Sequence, residues 1–369
     1  MSLRRYQGPA VAVAVATILC GGCARLLPGA LAPVAQADTA GTSLVPILVA
    51  TKRQRATADG GEMFSGEPAD AMSYAAVTVS IPPDATRKIG EVQWPTSLPG
   101  DPQQSFVTTS ANYLEPKSFV DALSAAVART GHGKVLVFTH GFNNRFDEAV
   151  FRFAQIVHDS RSPAVPVLFS WPSRGMVGLR AYQDDLQNAA GSLDTMVQLF
   201  DGLAATASVK EVTVVCHSMG CVLTLEALWS RAKRDGRIGG KIRNVLLVAP
   251  DVDVNIFRAH MREMGSPRPQ FALFMSQDDR ALKLSKSIWG GITRLGEVDP
   301  GQEPYRSDFR REHVAVFDLT NLGGAAHSRA FNDIASVMGL IEQWRAAGQD
   351  KGREKSEAMA GAQPEVAGR

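Results

Sequence analysis

The chain has 369 residues, of which 45% are hydrophobic and 21% are charged, a balance typical of a globular protein with a sizeable core. Its 39 lysines and arginines nearly match its 37 acidic residues, so the formal net charge is only +2. This composition excludes a disordered chain, and the absence of a strong global field argues against nucleic acid as a partner.

The first residues have the pattern of an export signal. Arg4 and Arg5 precede an apolar stretch at 9–19, which is too short to cross a bilayer. The stretch leads through two glycines into Cys23, an ending that resembles the bacterial lipoprotein signal, in which the cysteine becomes lipidated. Cleavage after Ala37, at an A-x-A site, is the alternative. We expect a signal peptide at 1–23 and a periplasm-facing lipoprotein anchored in the cell envelope at Cys23; without the lipid, the chain would be periplasmic or secreted.

Both flanks of the chain lack apolar periodicity. Residues 24–43 are rich in Ala, Pro, Gly and Thr and predict a flexible tether, whereas 347–369 predict a disordered tail. Between them, 44–346 is expected to fold as one domain. If Cys23 is lipidated, Cys216 and Cys221 are the cysteines left in the mature chain, too few for a scaffold built from disulfides.

Within this domain, short apolar runs alternate with longer amphipathic stretches, which predicts an α/β fold with a mostly parallel sheet flanked by helices. Eight strands are expected, at 45–50, 76–81, 135–139, 165–170, 212–216, 245–249, 271–275 and 314–319. Helices are expected at 117–129, 146–159, 186–206, 219–233, 253–263 and 329–346.

A nucleophile elbow is predicted where the strand 212–216 runs into Ser218. In this tight strand-to-helix turn, only small residues fit two positions before and after the serine. Gly220 meets that demand, and Cys216 stands where the G-x-S-x-G pattern has its first glycine. The alternative is a serine that only caps a helix.

A second motif follows the strand 135–139, which ends in His140-Gly141 before a helix. In α/β-hydrolases the loop at this position supplies half of the oxyanion hole. We therefore expect the backbone N–H groups of Phe142 and Met219 to face the oxygen that becomes negative during acyl transfer. The ring of His140 is expected to shape the loop.

Six segments resemble a bacterial family of α/β-hydrolases catalogued as a domain of unknown function. They are His140–Asn144, Phe169–Ser173, Tyr182 with Asp185, Cys216–Gly220, Ala249–Asp253 and Ser276–Leu282. The resemblance extends over 44–346. It implies the α/β-hydrolase fold and a serine-hydrolase site, and it implies no particular substrate.

The catalytic base should follow the last strand, because the superfamily order is nucleophile, acid, base. Among the seven histidines, His327 alone follows the strand 314–319 and precedes the last helix. His313 lies at the opposite end of that strand, and His217 is held beside the nucleophile. His327 is therefore the predicted base.

Three aspartates compete for the position of the acid. Asp278 and Asp279 follow the strand 271–275, the usual site, and Asp251 follows the preceding strand. Asp279 falls on the S-x-x-D-x-A-L pattern of the resembled family and is ranked first, followed by Asp278 and then Asp251.

The sequence shows no metal or cofactor motif: H-E-x-x-H, a P-loop and a dinucleotide fingerprint are absent, and Cys216 and Cys221 flank the elbow. Substrate recognition is expected in the segment after the fourth strand, where Trp171 and Tyr182 either contact substrate or pack under the loop.

These features together predict a serine hydrolase, carboxylesterase- or lipase-like, that cleaves a small acyl ester or lipid-like substrate through an acyl-enzyme. Two alternatives use the same fold. One is an envelope acyltransferase with the same triad, and the other is a binding lipoprotein without catalysis.

Overall fold

A nine-stranded sheet forms the centre of the molecule in the computed structural model, which describes residues 27–34, 38–57, 61–333 and 337. The strand order is β3-β2-β1-β5-β4-β6-β7-β8-β9. The strands are β1 Ser43–Arg55, β2 Phe64–Ile81, β3 Val107–Leu114, β4 Lys134–Thr139, β5 Val165–Ser170, β6 Glu211–His217, β7 Ile242–Val248, β8 Gln270–Met275 and β9 Val314–Asp318.

The sheet is antiparallel at one edge and parallel elsewhere. β1 pairs antiparallel with β2, and β2 with β3, whereas β1 pairs parallel with β5 and every later pair is parallel. The predicted fold class is confirmed. The predicted count of eight strands was too low because β3 is an edge strand whose exposed half carries polar residues, so it lacks the apolar run of a central strand.

Helices cover both faces of the sheet. They are α1 Pro116–Thr130, α2 Phe146–Asp159, α3 Leu179–Ala190, α4 Leu193–Ala205, α5 Gly220–Asp235, α6 Val254–Met264, α7 Arg280–Ile288, α8 Tyr305–Arg311 and α9, described at Arg329–Asn332. The single helix expected at 186–206 is two helices, because Gly191 and Ser192 interrupt it between α3 and α4. The short α7 and α8 were not predicted, and most of the helix expected at 329–346 lies outside the described residues.

The core consists of two apolar layers separated by the sheet. In β4, Val135 and Val137 face the layer that contains α1, α4 and α5, whereas Leu136 and Phe138 face the layer that contains α2. This alternation follows from the two-residue period of a strand. Each large side chain buried in this way stabilises the fold by about 1.5–3 kcal/mol.

Part of the predicted tether packs against the sheet. Ala30 and Leu31 are buried in the layer that contains α2, and the N–H of Val34 donates to the carbonyl of Thr108 in β3 at 2.9 Å. The folded body thus includes residues that precede 44. The predicted signal peptide and tail lie outside the described residues. Within the described part of the chain, no helix is long and apolar enough to cross a membrane.

Candidate active site

Ser218 occupies the sharp turn between β6 and α5. Its φ is 50°, in the left-handed region that costs a residue with a side chain about 1–2 kcal/mol. Two backbone hydrogen bonds hold the turn: the N–H of Ser218 donates to the carbonyl of Val248 at 3.0 Å, and the N–H of Cys221 donates to the carbonyl of Ser218 at 3.0 Å. A Cβ at Gly220 would overlap the carbonyl oxygen of His140, so the close approach of helix and strand requires glycine there.

A disulfide joins Cys216, at the end of β6, to Cys221, in the first turn of α5. Both cysteines are fully buried, and their Cα atoms are 4.9 Å apart. The bond therefore closes the turn that carries Ser218. The bond was not predicted from the sequence, because a separation of five residues does not show that the strand end and the helix start face each other.

His327 and Asp279 are in direct contact. His327 lies on the short 3-10 turn Ala326–Ser328 after β9, and its Nδ1 is 2.8 Å from Oδ2 of Asp279. The other carboxylate oxygen of Asp279 accepts the N–H groups of Ala281 and Leu282 at 2.9 and 3.1 Å, which caps α7. Since a carboxylate accepts, the proton of the neutral imidazole is on Nδ1 and Nε2 is left as a base.

The carboxylate and the imidazole shift each other's pKa. Burial alone would lower the pKa of His327, but the hydrogen bond and charge of Asp279, with the charge of Asp251, raise it above its ordinary value. Burial alone would raise the pKa of Asp279, but His327 and the two capping N–H groups hold it below its ordinary value. Asp279 is therefore ionised near neutral pH and stabilises a protonated His327.

The two rival aspartates are engaged elsewhere. Asp278 forms a bidentate ion pair with Arg329 at 2.8 and 2.9 Å, and half of its side chain is exposed. Asp251 accepts the hydroxyls of Tyr182 and Ser285 at 2.7 and 2.5 Å. Among the three candidates, Asp279 is the aspartate that the structure brings to His327.

His217 links the turn that carries Ser218 to the loop that carries His327. Its Nε2 is 2.9 Å from the carbonyl oxygen of His327, and the two rings lie 4.7 Å apart. Because a carbonyl accepts, Nε2 of His217 carries the proton. Burial, helped by the nearby charge of His327, lowers the pKa of His217 to about 3, so this ring is neutral and acts as a fixed donor.

The loop after β4 packs directly against the nucleophile. A Cβ on Gly141 would lie 2.9 Å from Cβ of Ser218, so no larger residue fits without a shift. No described residue accepts a hydrogen bond from the N–H of Phe142 or of Met219. These are the two N–H groups predicted for the oxyanion hole, and without a partner in the described structure both can donate to another acceptor.

A family model described as "Alpha/beta hydrolase of unknown function (DUF900)" matches residues 115–343, the part of the chain that contains all of these groups. The chain belongs to this family.

Among solved structures, this hydrolase is similar to several hydrolases and esterases at low sequence identity. A putative cell surface hydrolase from Lactobacillus plantarum is 11% identical, with a TM-score of 0.36 over 58% of this chain and 92% of the other. A fungal esterase from Rhizomucor miehei is 11% identical (TM-score 0.35, 82% and 84%), and an esterase from Pyrococcus furiosus is 13% identical (TM-score 0.33, 60% and 81%). A comparison with curated proteins finds no match.

Arg53, which was not predicted from the sequence, supports the loop that follows β4 and contains Phe142. It is fully buried in β1, and its guanidinium donates to the carbonyl oxygens of Asn144 and Ser173 at 2.8 and 2.7 Å and to Oγ of Ser170 at 2.8 Å. Ser170 Oγ lies 2.9 Å from Nε2 of His140. Arg53 lies in a run of charged residues that looks solvent-exposed in the sequence, so nothing there marks it as buried.

His140 is a structural residue of the same network. Its Nδ1 lies 3.0 Å from the carbonyl oxygen of Gly141, which fixes the proton on Nδ1. Burial, followed by the charge of Arg53, lowers the pKa of His140 to about 3. The ring is therefore neutral and shapes the loop.

Asp185 and Ser173 fix the far end of the loop. Asp185 accepts the N–H of Asn143 at 3.2 Å and the hydroxyl of Ser173 at 2.6 Å, while Ser173 Oγ accepts the N–H of Asn144 at 3.0 Å. Both residues belong to segments that carry the family resemblance, and this network gives them a role. The sequence motifs marked Ser173 and Asp185, but they did not show that these side chains bind the loop after β4.

The two aromatic residues predicted to bind substrate are packing residues in the structure. Trp171 is fully buried, stacks on His140 at 5.0 Å and donates its Nε1–H to the carbonyl of His140 at 2.9 Å. Tyr182 is 7% exposed, its hydroxyl bonds Asp251, and its ring meets Phe142 edge to face at 5.4 Å. Both side chains therefore pack beneath the loop that follows β4, the second of the two readings given above, and substrate contact by either stays a prediction.

One cluster of possible metal ligands lies at the protein surface. Asp84, His158 and Asp159 bring ligand atoms within 4.8 Å of one another. Arg87 forms ion pairs with both carboxylates, and His158 is 3.0 Å from Asp84. Arg87 and His158 thus already engage these carboxylates in an ion-pair and hydrogen-bond network.

Proposed function

We propose that the protein is a serine hydrolase that cleaves an acyl ester, with Ser218 as nucleophile, His327 as base and Asp279 as the group that orients the base. The observation that carries the proposal is the 2.8 Å contact between His327 Nδ1 and Asp279 Oδ2. Both residues follow the carboxyl ends of parallel strands, as does the strained turn at Ser218. Strained backbone conformations are concentrated at functional sites of proteins, so the strain at Ser218 supports a functional role for this turn.

Formation of the acyl-enzyme follows from the proton positions. Ser218 Oγ attacks the ester carbonyl while Nε2 of His327 takes its proton, and the imidazolium is stabilised by Asp279. The carbonyl oxygen becomes negative and accepts from the N–H groups of Phe142 and Met219. Collapse breaks the ester C–O bond, and His327 returns the proton to the leaving alcohol.

Release of the acid repeats these steps with water. Water attacks the acyl carbonyl as His327 takes one of its protons, and that proton returns to Ser218 Oγ when the acyl–serine bond breaks. Among the described residues, Ser218 Oγ has no hydrogen-bond partner, which leaves it available to substrate. The hydrogen bond from serine to histidine often forms at full strength only in the substrate complex.

A fluorophosphonate probe tests the nucleophile. The probe should label wild-type protein at Ser218 and should not label Ser218→Ala. Absence of labelling in wild-type protein, with a known serine hydrolase labelled in the same mixture, contradicts the proposal. Product analysis with an acceptor alcohol in competition with water then separates hydrolysis from acyl transfer.

Turnover of a p-nitrophenyl ester tests the acid. Asp279→Asn should lower kcat by roughly 10⁴, the scale for a triad aspartate changed to its amide. Asp278→Asn is the matched control, since its carboxylate pairs with Arg329 and should affect kcat little. Equal loss of kcat in the two variants, at unchanged melting temperature, would place the acid elsewhere.

We also propose that the protein acts in the cell envelope, anchored by a lipid at Cys23. The Cys216–Cys221 disulfide supports an oxidising compartment, because such bonds rarely persist in the cytosol. Labelled palmitate should enter the protein in its host, and Cys23→Ser should abolish this. Incorporation that survives Cys23→Ser would contradict the anchor.

A further inference from the structure

Exposed large apolar side chains are concentrated in two short segments that follow β5 and β8. In the part of the chain that the structure describes, twelve such side chains are exposed, and six of them fall in two short segments. Met176 and Val177 lie between β5 and α3, Leu179 is the first residue of α3, and Leu284, Trp289 and Ile292 lie in α7 and the loop after it. With 78% of its surface exposed, Val177 has no packing role. An apolar patch of this kind marks an interaction surface.

Both segments lie at the carboxyl-terminal ends of the parallel strands, where the proposed catalytic groups also lie. They follow the carboxyl ends of β5 and β8, as Ser218 follows β6 and His327 follows β9. The segments are also joined, because Trp289 Nε1–H donates to the hydroxyl of Tyr182 at 3.2 Å, one helical turn beyond Leu179. The Tyr182 ring packs on Phe142 of the oxyanion loop, so the patch is continuous with the site.

The same two segments are cationic. Neither 174–180 nor 280–292 contains an aspartate or glutamate, whereas together they contain five basic residues, of which Arg174 and Lys286 pair with nearby carboxylates. Arg180, Arg280 and Lys283 are solvent-exposed, and no described carboxylate pairs with them. We name this surface the apolar-cationic rim, defined by 174–180 and 280–292.

We propose that the apolar-cationic rim docks on an anionic lipid bilayer. Apolar side chains with Lys and Arg at their border match acyl chains beneath anionic head groups, and each cation near such a surface strengthens attachment roughly fivefold. Docking through the rim presents the loops around Ser218 to the bilayer. That the bilayer also supplies the acyl ester rests on the proposed function, whereas docking itself does not.

Vesicle binding by the full chain tests the charge requirement. Wild-type protein should co-sediment with phosphatidylglycerol vesicles more than with phosphatidylcholine vesicles. Lys283→Glu with Leu284→Ser should lower the partition coefficient roughly twentyfold, since two units of charge are lost. Arg262→Glu with Ile256→Ser, which makes the same kinds of change on exposed positions of α6, is the matched control and should bind like wild type.

Tryptophan quenching by brominated phosphatidylglycerol vesicles tests whether the rim itself meets the lipid. Quenching should be lost in Trp289→Phe and kept in Trp229→Phe, whose ring stacks on His260 between α5 and α6. This readout is independent of any attachment through the N-terminal segment.

Three outcomes would overturn the proposal: equal binding to both kinds of vesicle, quenching that survives Trp289→Phe, or a rim-dependent dimer in solution with no lipid binding. Fluorophosphonate labelling of Ser218 in the same samples reports the proposed function separately. Docking without labelling would contradict the hydrolase proposal alone, and labelling without docking would contradict the rim alone.

Discussion

Removal of the Cys216–Cys221 disulfide should weaken both the fold and the nucleophile turn. The bond spans a sequence separation of 5, and the chain-entropy relation for a loop of about six residues gives a stabilisation of about 2 kcal/mol. Cys216→Ala with Cys221→Ala should therefore lower the melting temperature by roughly 4 °C. Since Ser218 is held in a left-handed conformation that costs about 1–2 kcal/mol, loosening the turn should also lower kcat, by up to roughly tenfold.

Thermal unfolding and p-nitrophenyl ester turnover measure the two effects, with and without dithiothreitol. Reductant should move the wild-type protein toward the double variant and should leave the double variant unchanged, which controls for effects of reductant elsewhere. The two backbone hydrogen bonds that hold the Ser218 turn remain in the variant, so a residual labelling rate is expected. A double variant with wild-type melting temperature and kcat would refute the reasoning that the bond holds the turn.

Further predictions concern the base and the oxyanion loop. The base that we propose, His327, would work when neutral, and its pKa is raised above 6.5, so kcat/KM should rise with pH through an apparent pKa above that value. In Asp279→Asn the partner that raises this pKa is lost, so the residual pH profile should shift to lower pH; a shift to higher pH would contradict the assignment. Gly141→Ala places a Cβ 2.9 Å from Cβ of Ser218 and should lower kcat by about 10²-fold or more, whereas Gly202→Ala, which meets nothing within 4 Å, should not. Equal activity of these two glycine variants would show that the loop tolerates the shift.

The parallel part of the sheet was predictable because every central strand is a short apolar run buried on both faces. β4, Lys134–Thr139, and β5, Val165–Ser170, are of this kind. β3, Val107–Leu114, was missed because an edge strand can expose one side and needs few apolar residues. The boundary inside 186–206 was missed because a helical apolar pattern continues across Gly191 and Ser192.

In the candidate site, too, some residues could be predicted from the sequence and others could not. Ser218 and His327 could be predicted since each follows a recognisable strand in the order that the superfamily requires. Arg53 could not, because its value as a hydrogen-bond donor depends on carbonyl groups about 90 and 120 residues away in the chain. The Cys216–Cys221 bond was hidden for a related reason: it depends on the angle between β6 and α5, which spacing alone does not give.

Asp279 shows why one of two adjacent aspartates could be preferred from the sequence. Its Oδ1 caps α7 by accepting the N–H groups of Ala281 and Leu282, which a helix start requires, and this fixes the carboxylate. With one oxygen held, Oδ2 is aimed at His327. Asp278, one residue earlier, points outward to Arg329 because neighbouring side chains before a helix diverge. The same carboxylate thus caps α7 and, in the proposed mechanism, orients His327. Asparagine has the same shape and can keep the cap through its carbonyl oxygen, so Asp279→Asn should reduce catalysis and keep the fold. Asp279→Ala would remove the helix cap together with the contact to His327.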